Sequence, residues 1–246
     1  MGRKWQNIKL GKGKLDQERG ALFTKLSREI TLAAKNGSPD PDANHRLKIA
    51  VDKARENNMP QDNIKRAIAR GAGGTGEKEI EEIRYEGYGP HGVAVVIDAA
   101  TDNRNRTAGE LRFLFSKHGG SLGETGAVAW MFDPVGIVEV DSGGKSEDGL
   151  TECALVDGVV DLDYSDEQTL IYTEPVQLAH ARELLSGAGL KITGAYLGVR
   201  AKQTVSPEGS QLNDALAFLD AVESNEDVQH VFSNLELSDA ALEALA

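Results

Sequence analysis

Apolar residues recur at helical spacing in three segments of the N-terminal third of the chain. In the first segment Leu22, Leu26 and Ile30 fall on one face at 100° per residue, while Lys25 and Arg28 project on the opposite side. The second segment follows a proline-containing breaker, and the third ends at a glycine. The predicted helices comprise residues 16–35, 43–56 and 60–70. Three short helices of this kind predict one small bundle.

Beyond the glycine-rich linker 71–76 the pattern changes from helical to strand-like. The first group of predicted elements comprises strands at 82–87, 93–98 and 127–132 and a helix at 104–117. A second group follows in the order strand, helix, strand, strand, helix, strand, which is the order of a ferredoxin-like unit. Its elements lie at 136–140, 147–156, 159–163, 169–173, 176–185 and 191–199.

The end of the chain predicts how these two groups are connected. A helix at 212–222 and a strand at 228–235 have no partners of their own, so we expect them to return to the sheet begun at Glu82. The fold class is then α+β and multidomain, with an N-terminal three-helix bundle followed by two ferredoxin-like α+β domains, one inserted in the other. The predicted domains are residues 1–76, residues 77–134 together with 206–246, and the inserted residues 135–205.

Charge is distributed unevenly along the chain. Residues 1–76 carry 16 Lys and Arg against 8 Asp and Glu, a net charge of +8, whereas the remaining residues carry 11 against 31, a net charge of −20. The formal net charge of −12 for the whole chain therefore conceals a basic N-terminal third attached to an acidic body. Asymmetry of this size favours a nucleic-acid-binding module in the basic part.

The first fourteen residues form a basic arm that contains no acidic residue. Its cations are suited to neutralise phosphates, and its tryptophan is suited to stack on an exposed base. The alternative is a disordered arm beside a solvated helix face. The candidate contact residues are Arg3, Lys4, Trp5, Lys9, Lys12 and Lys14 on the arm, and Lys25, Arg28 and Lys35 on the basic face of the first helix.

A second candidate contact lies in the segment Thr-Asp-Asn-Arg-Asn-Arg-Thr that leads into a predicted helix. Asp102 or Asn103 is a suitable N-cap for this helix. The free amides of its first turn, reinforced by Arg104 and Arg106, suit an anion. The alternative is that these arginines pair with Asp102 or with Glu110, and both interpretations stay open at this point.

Several signatures of catalysis, metal binding and membrane insertion are missing from the sequence. Cys153 is the only cysteine, and the five histidines show no i, i+4 pairing. The glycine-rich segments 71–76 and 119–126 lack the Gly-Lys-Ser/Thr ending of a phosphate-binding loop. The apolar stretch 92–100 is far shorter than the roughly 20 residues that span a bilayer. We therefore expect no catalytic residue, metal, cofactor or membrane contact, and a cytoplasmic location.

Short motifs in a fixed order extend through nearly the whole chain. They include Lys4-Trp-Gln-Asn-Ile-Lys9, Phe23-Thr-Lys-Leu-Ser-Arg-Glu-Ile30, Asn58-Met-Pro-Gln-Asp-Asn-Ile64, Tyr85-Glu-Gly-Tyr-Gly-Pro90, Thr101-Asp-Asn-Arg-Asn-Arg-Thr107, Phe115-Ser-Lys-His-Gly-Gly120, Leu122-Gly-Glu-Thr-Gly126 and Asp227-Val-Gln-His-Val231. In this order they resemble the YebC/PmpR family, which includes the mitochondrial translational activator of cytochrome c oxidase. The resemblance implies a three-domain, non-enzymatic cytosolic protein that binds DNA as a transcriptional regulator, or that assists translation at the ribosome.

The leading hypothesis is thus a non-enzymatic regulator of gene expression that binds DNA to control transcription. The alternative within the same class is a ribosome-associated translation factor that binds RNA. We predict contacts to the phosphate backbone and no reading of bases, because no predicted helix concentrates Asn, Gln and Arg at one end. Two other classes stay open: an enzyme with a site between the α+β domains, using Glu124, Asp98 or His118, and a scaffold whose acidic body binds a basic protein.

Overall fold

A computed structural model describes residues 3–4 and 15–237, with side chains from residue 20 onward. The described chain divides into two compact units. The first unit comprises residues 15–128 and 213–231, and the second comprises residues 3–4, 129–212 and 232–237. The finer division into three domains stays a prediction.

The described part of the chain contains seven α-helices and ten strands. The helices are α1 Leu15–Lys35, α2 His45–Glu56, α3 Gln61–Gly71, α4 Arg104–Lys117, α5 Glu147–Ala154, α6 Leu178–Gly187 and α7 Gly209–Glu223. The strands are β1 Arg3–Lys4, β2 Glu81–Tyr88, β3 Ala94–Thr101, β4 Ser121–Leu122, β5 Phe132–Asp141, β6 Val159–Asp163, β7 Gln168–Thr173, β8 Lys191–Ala201, β9 Val228–Ser233 and β10 Glu236–Leu237. Most of these bounds lie within a few residues of the predicted ones, because the apolar periodicity is strong.

Helices α1, α2 and α3 form the predicted bundle around a core that includes Leu47 and Ile64. The Thr31 hydroxyl of α1 donates a hydrogen bond to the carbonyl oxygen of Ala67 in α3, at 3.1 Å. At the end of α3, a Cβ atom on Gly71 would lie only 2.3 Å from the carbonyl oxygen of Thr31. Only glycine fits this close approach, so α3 is held tightly against α1.

The connection between α2 and α3 is a four-residue turn, residues 57–60, with a specific capping geometry. Asn58 occupies the left-handed region at φ 59°. Its N–H donates to the carbonyl oxygen of Arg55, and the N–H of Met59 donates to the carbonyl oxygen of Ala54, both at 2.9 Å. This is the Schellman pattern that ends a helix. Met59 is buried in the bundle core, which ties the turn to the helices.

The first unit also contains a four-stranded sheet with the order β4-β2-β3-β9. Leu32 of α1 packs with Ile80 and Ala100 and so joins the bundle to this sheet. Phe115 of α4 and Phe218 of α7 meet edge to face, with ring centroids 4.9 Å apart. Strand β9 comes from the end of the chain and lies beside β3. The predicted return of the chain to the sheet begun near Glu82 is therefore confirmed.

The predicted strand at 127–132 is wrong over most of its length. Ala129–Met131 forms a single 3-10 turn, and β5 begins only at Phe132. The reason is the buried carboxylate of Glu86 in β2, which accepts hydrogen bonds from the N–H groups of Gly126 at 2.8 Å and Val128 at 2.9 Å. These amides are occupied by a side chain and are not available to a strand ladder.

The second unit contains an antiparallel sheet with the order β6-β7-β5-β8. Taken in chain order with α5 and α6, this is the ferredoxin-like arrangement predicted for the inserted residues. Its core includes Val138, Leu150, Ile171 and Leu185, from two strands and both helices. The sheet of the first unit has a different strand order, so the ferredoxin-like order that was predicted for both α+β domains is present in the second unit only. The fold class, a helical N-terminal part followed by two antiparallel α+β sheets, is confirmed.

Candidate nucleic-acid interface

The predicted contact residues of the arm are only partly within the described structure. Arg3 and Lys4 form the short strand β1, which pairs antiparallel with Glu236 and Leu237 of β10. The backbone of these two arm residues is therefore held in a strand of the second unit. The remaining predicted arm residues, Trp5, Lys9, Lys12 and Lys14, lie outside the described residues.

Two predicted contact residues of α1 are engaged by oxygen atoms of the first unit. The Lys25 ammonium donates to the carbonyl oxygen of Glu223 at the end of α7, where a cation is favoured by the helix dipole. Lys35 forms an ion pair with Glu79 at 2.9 Å and donates to the carbonyl oxygen of Ile80 at 3.0 Å. The basic face of α1 therefore packs against other parts of its own unit, and much of its positive charge is already matched.

Two further predicted contact residues, Arg28 and Arg106, contact the buried carboxylate of Asp227. Its side chain is only 3% exposed. Arg28 Nη2 lies 2.6 Å from Oδ1, and Arg106 Nη2 lies 2.8 Å from Oδ2. The hydroxyl groups of Thr107 and Thr101 donate to Oδ2 at 2.6 Å and 3.3 Å. We call this set, Asp227 with Arg28, Arg106, Thr101 and Thr107, the Asp227 cluster.

The protonation of the Asp227 cluster follows from its contacts. Burial by itself raises the pKa of Asp227, but hydrogen bonds from Thr107 and Arg106 and the charge of Arg28 outweigh burial, so the pKa of this carboxyl lies below its ordinary value. Burial lowers the pKa of Arg28, and the neighbouring Asp227 opposes that shift. The cluster is thus a carboxylate with two guanidinium groups, which links α1, the start of α4 and the segment before β9.

Asn103 is the N-cap of α4 and is one of the two residues that were predicted for this position. Its Oδ1 accepts a hydrogen bond from the N–H of Arg106 at 3.2 Å. Besides Asp227, the Arg106 side chain contacts Asp102 at 3.2 Å, and Arg104 pairs with Glu81 at 2.9 Å. The structure therefore shows the ion-pairing alternative for Arg106, which contacts Asp102 and, at 3.9 Å, Glu110. Arg104 is also paired, but with Glu81, which that alternative did not include. Arg104 is nevertheless 67% exposed, and a contact of these arginines with nucleic acid stays a prediction.

The sequence reasoning missed the cations that the structure leaves open to solvent on α3. Lys65 and Arg66 are exposed, and neither has an ion-pair partner among the side chains described from residue 20 onward. Asp62 and Ala69 share the same outward face, one turn before and one turn after them. The signal was present in the sequence, because these positions lie opposite the inward-facing Ile64 of the predicted helix.

Cations of the second unit are arranged differently, since most lie beside a carboxylate. The ion pairs are Arg182–Glu183, Lys191–Asp141, Arg200–Asp161 and Lys202–Asp133. Lys145 is exposed and has no ion-pair partner among the residues that the structure covers. The unpaired positive charge of α3 thus contrasts with the mostly paired cations of the acidic unit.

The three residues considered for an enzyme site, Asp98, Glu124 and His118, each have a different environment. Asp98 is held by a bidentate pair with Arg84, at 2.6 Å and 2.8 Å. Glu124 is exposed, and within the described chain His118 Nε2 has no hydrogen-bond partner. Among the side chains that the structure describes, no group of three His, Cys, Asp or Glu is placed to hold a metal ion. None of the helices, over the described ranges, is both long and apolar enough to cross a membrane.

Comparison with known proteins places these features in a family. The profile of the TACO1/YebC protein N-terminal domain matches residues 3–74, and that of the TACO1/YebC second and third domain matches residues 80–235. A "probable transcriptional regulatory protein" of Symbiobacterium thermophilum is 47% identical over 242 residues, covering 98% of this chain and 100% of the relative. A protein of the same description from Herpetosiphon aurantiacus is 46% identical over 244 residues, covering 99% and 97%.

A solved structure shows the same fold. The crystal structure of a conserved hypothetical protein from Aquifex aeolicus superposes with a TM-score of 0.86 at 42% sequence identity, and the match covers 96% of this chain and 97% of the other. The sequence resemblance is therefore confirmed by profiles, relatives and fold. This chain belongs to the TACO1/YebC family.

Proposed function

We propose that this protein is a non-enzymatic transcriptional regulator that acts in the cytoplasm by binding DNA. The observation that carries the proposal is the pair of exposed cations on α3, Lys65 and Arg66, for which the described chain provides no carboxylate. An exposed cation without an internal partner is free to neutralise a phosphate and release its counterion. The description of the relatives as probable transcriptional regulatory proteins supports the same conclusion.

Electrostatics favours this pair of cations over Arg28 and Arg106 of the Asp227 cluster. Arg28 and Arg106 would have to leave the buried Asp227 before they contacted a phosphate, which would leave a carboxylate without its partners. Lys65 and Arg66 carry no such penalty. The arm lysines Lys9, Lys12 and Lys14 are proposed as a second contact, on the basis of their charge alone.

The proposal is tested by measuring the affinity of the full chain for duplex DNA and for ribosomal RNA, at salt concentrations from about 50 to 200 mM. The double variant Lys65→Ala, Arg66→Ala should weaken DNA binding, and it should lower the salt slope by about 1 for each of the two cations that contacts a phosphate. The triple variant Lys9→Ala, Lys12→Ala, Lys14→Ala measures separately what the arm contributes to the affinity and to the salt slope.

Lys145→Ala is the matched control, because it removes an exposed cation from the acidic second unit. It should leave both affinity and salt slope unchanged. If the full chain binds ribosomal RNA and fails to bind DNA, the translational role replaces the proposed one. An unchanged affinity and slope in the α3 variant would show that this helix is not the contact.

A further inference from the structure

We propose that α3 lies in the major groove of duplex DNA and reads base pairs with four residues of its outward face. The inference rests on the proposed function, because it specifies how the same helix meets its partner. It also goes beyond the sequence-based expectation, which was limited to backbone contacts. The four residues are Asp62, Lys65, Arg66 and Ala69, and we call them the α3 stripe.

The first observation is the arrangement of α2 and α3. A 12-residue helix, a four-residue connection and an 11-residue helix follow one another, which is the order of a helix-turn-helix motif. In DNA-binding proteins of this type, the second helix of the motif enters the major groove. The connection is closed by the Schellman hydrogen bonds at Asn58 and Met59, so the start of α3 is well defined relative to α2.

The second observation is that α3 is held rigidly from behind. Ile64, Ala67 and Gly71 face α1, and the contact is so close that a Cβ atom on Gly71 would overlap the backbone at Thr31. The hydrogen bond from Thr31 to Ala67 adds a directional contact in the same place. A rigid support of this kind is what base reading requires, because the positions of the reading side chains must be reproducible.

The third observation is the geometry of the α3 stripe itself. Its members are spaced at i, i+3, i+4 and i+7, so they line one face, opposite the buried side of the helix. All four are exposed. The side chains of the three charged members make no hydrogen bond or ion pair with any side chain described from residue 20 onward. The face is therefore polar, charged and free for a ligand.

The residue types in the stripe match the edges of base pairs in the major groove. Arg66 and Lys65 are suited to donate to O6 and N7 of guanine, and Asp62 is suited to accept from the N4 amino group of cytosine. The small side chain of Ala69 allows close approach and can contact a thymine methyl group. A carboxylate next to two cations is unfavourable for simple phosphate binding. Asp62 also lies in the first turn of α3, where the helix dipole favours a carboxylate.

The width of the major groove favours duplex DNA over double-stranded RNA as the partner of α3. The major groove of B-form DNA is about 12 Å wide and admits a helix. The major groove of A-form RNA is deep and too narrow for side chains to read. A partner read by an exposed helical stripe is therefore duplex DNA.

The experiment is selection of binding sites from a random duplex DNA library by the full chain, followed by sequencing of the bound fraction. We expect an enriched motif that contains guanine and cytosine at defined positions. Asp62→Ala should abolish the preference for cytosine at one position, and Arg66→Ala the preference for a guanine. The discrimination lost at each position should be about 5- to 150-fold. Lys145→Ala should reproduce the wild-type motif, and circular dichroism checks that each variant is folded.

The outcomes separate this inference from the proposed function. Binding to DNA without any enriched motif would overturn the reading role and leave the proposed function in place. Failure to bind DNA at all would overturn both. A motif that is unchanged in Asp62→Ala and Arg66→Ala would show that another surface reads the bases. Equal affinity for an A-form RNA duplex of the selected sequence would contradict placement of α3 in the major groove.

Discussion

At the scale of single residues, Asp227 has a structural role that its exposure and contacts define. The carboxylate is nearly inaccessible and is bound by Arg28 and Arg106. We expect Asp227→Asn to lower the free energy of unfolding by about 3 kcal/mol, because the substitution removes the buried carboxylate that faces Arg28 and one of the carboxylates that Arg106 contacts. Urea denaturation followed by circular dichroism measures this change.

The matched control is Asp98→Asn, which removes a carboxylate from the more exposed pair with Arg84. It should lower the free energy of unfolding by less than Asp227→Asn does, because Asp98 is 25% exposed and pairs with one arginine. Equal losses in the two variants would contradict the central role of the Asp227 cluster.

The same residue predicts a pH dependence. The pKa of Asp227 is lower in the folded protein than in the unfolded chain, so its contribution to stability is fully present above the unfolded pKa of about 4 and is lost as the pH falls through the folded pKa. The stability difference between wild type and Asp227→Asn should therefore be constant from about pH 7 down to about pH 5 and shrink near pH 3. Urea unfolding at these pH values tests it, and a constant difference at low pH would contradict the assignment.

Glu86 holds the glycine-rich loop that follows α4. Its carboxylate accepts from the N–H groups of Gly126 and Val128. In Glu86→Gln an amide group faces one of these donors, so we expect a loss of about 1 to 3 kcal/mol and faster hydrogen exchange at both amides. Glu82→Gln is the control on the same strand, because Glu82 is half exposed and pairs only at the surface with Arg46. Similar exchange in both variants would contradict the role of Glu86.

At the scale of elements, the turn between α2 and α3 depends on a left-handed residue. Asn58→Val should lower the free energy of unfolding by about 1 to 2 kcal/mol, because a β-branched residue is strained at positive φ. Asn58→Gly, which meets no such strain, should preserve stability. Calorimetric melting temperatures distinguish the two, and equal melting temperatures would show that the turn relaxes.

Helix α1 shows how an amphipathic pattern is used at the level of an element. Its apolar face packs in the bundle, as predicted, and Leu32 contacts the sheet. Its basic face meets Glu79, the end of α7 and Asp227. A basic helical face is therefore not by itself a nucleic-acid surface, and the same charges here stabilise contacts within the unit.

At the scale of the whole molecule, the two units have separate cores. The core around Leu47 belongs to the bundle, and the core around Ile171 belongs to the second sheet. Leu47→Ala and Ile171→Ala should each lower the free energy of unfolding of their own unit by about 2 to 5 kcal/mol. Hydrogen exchange measured by mass spectrometry should show the loss of protection mainly in α1–α3 for the first variant and in β5 and β7 for the second. Equal loss in both units from either variant would indicate a single cooperative structure.

The order and type of most elements, the ferredoxin-like unit and the charge difference between the two parts of the chain can be predicted from the amino-acid sequence. Periodicity and charge are local properties, so they can be read without coordinates. Which cations lack an ion-pair partner depends on contacts between residues that are distant in the sequence. Arg28 forms an ion pair with Asp227, which is far away in the sequence, whereas Lys65 has no ion-pair partner among the described side chains. The strand predicted at 127–132 is absent over most of its length for the same kind of reason. The carboxylate of Glu86, which is distant in the sequence, accepts hydrogen bonds from the N–H groups of Gly126 and Val128.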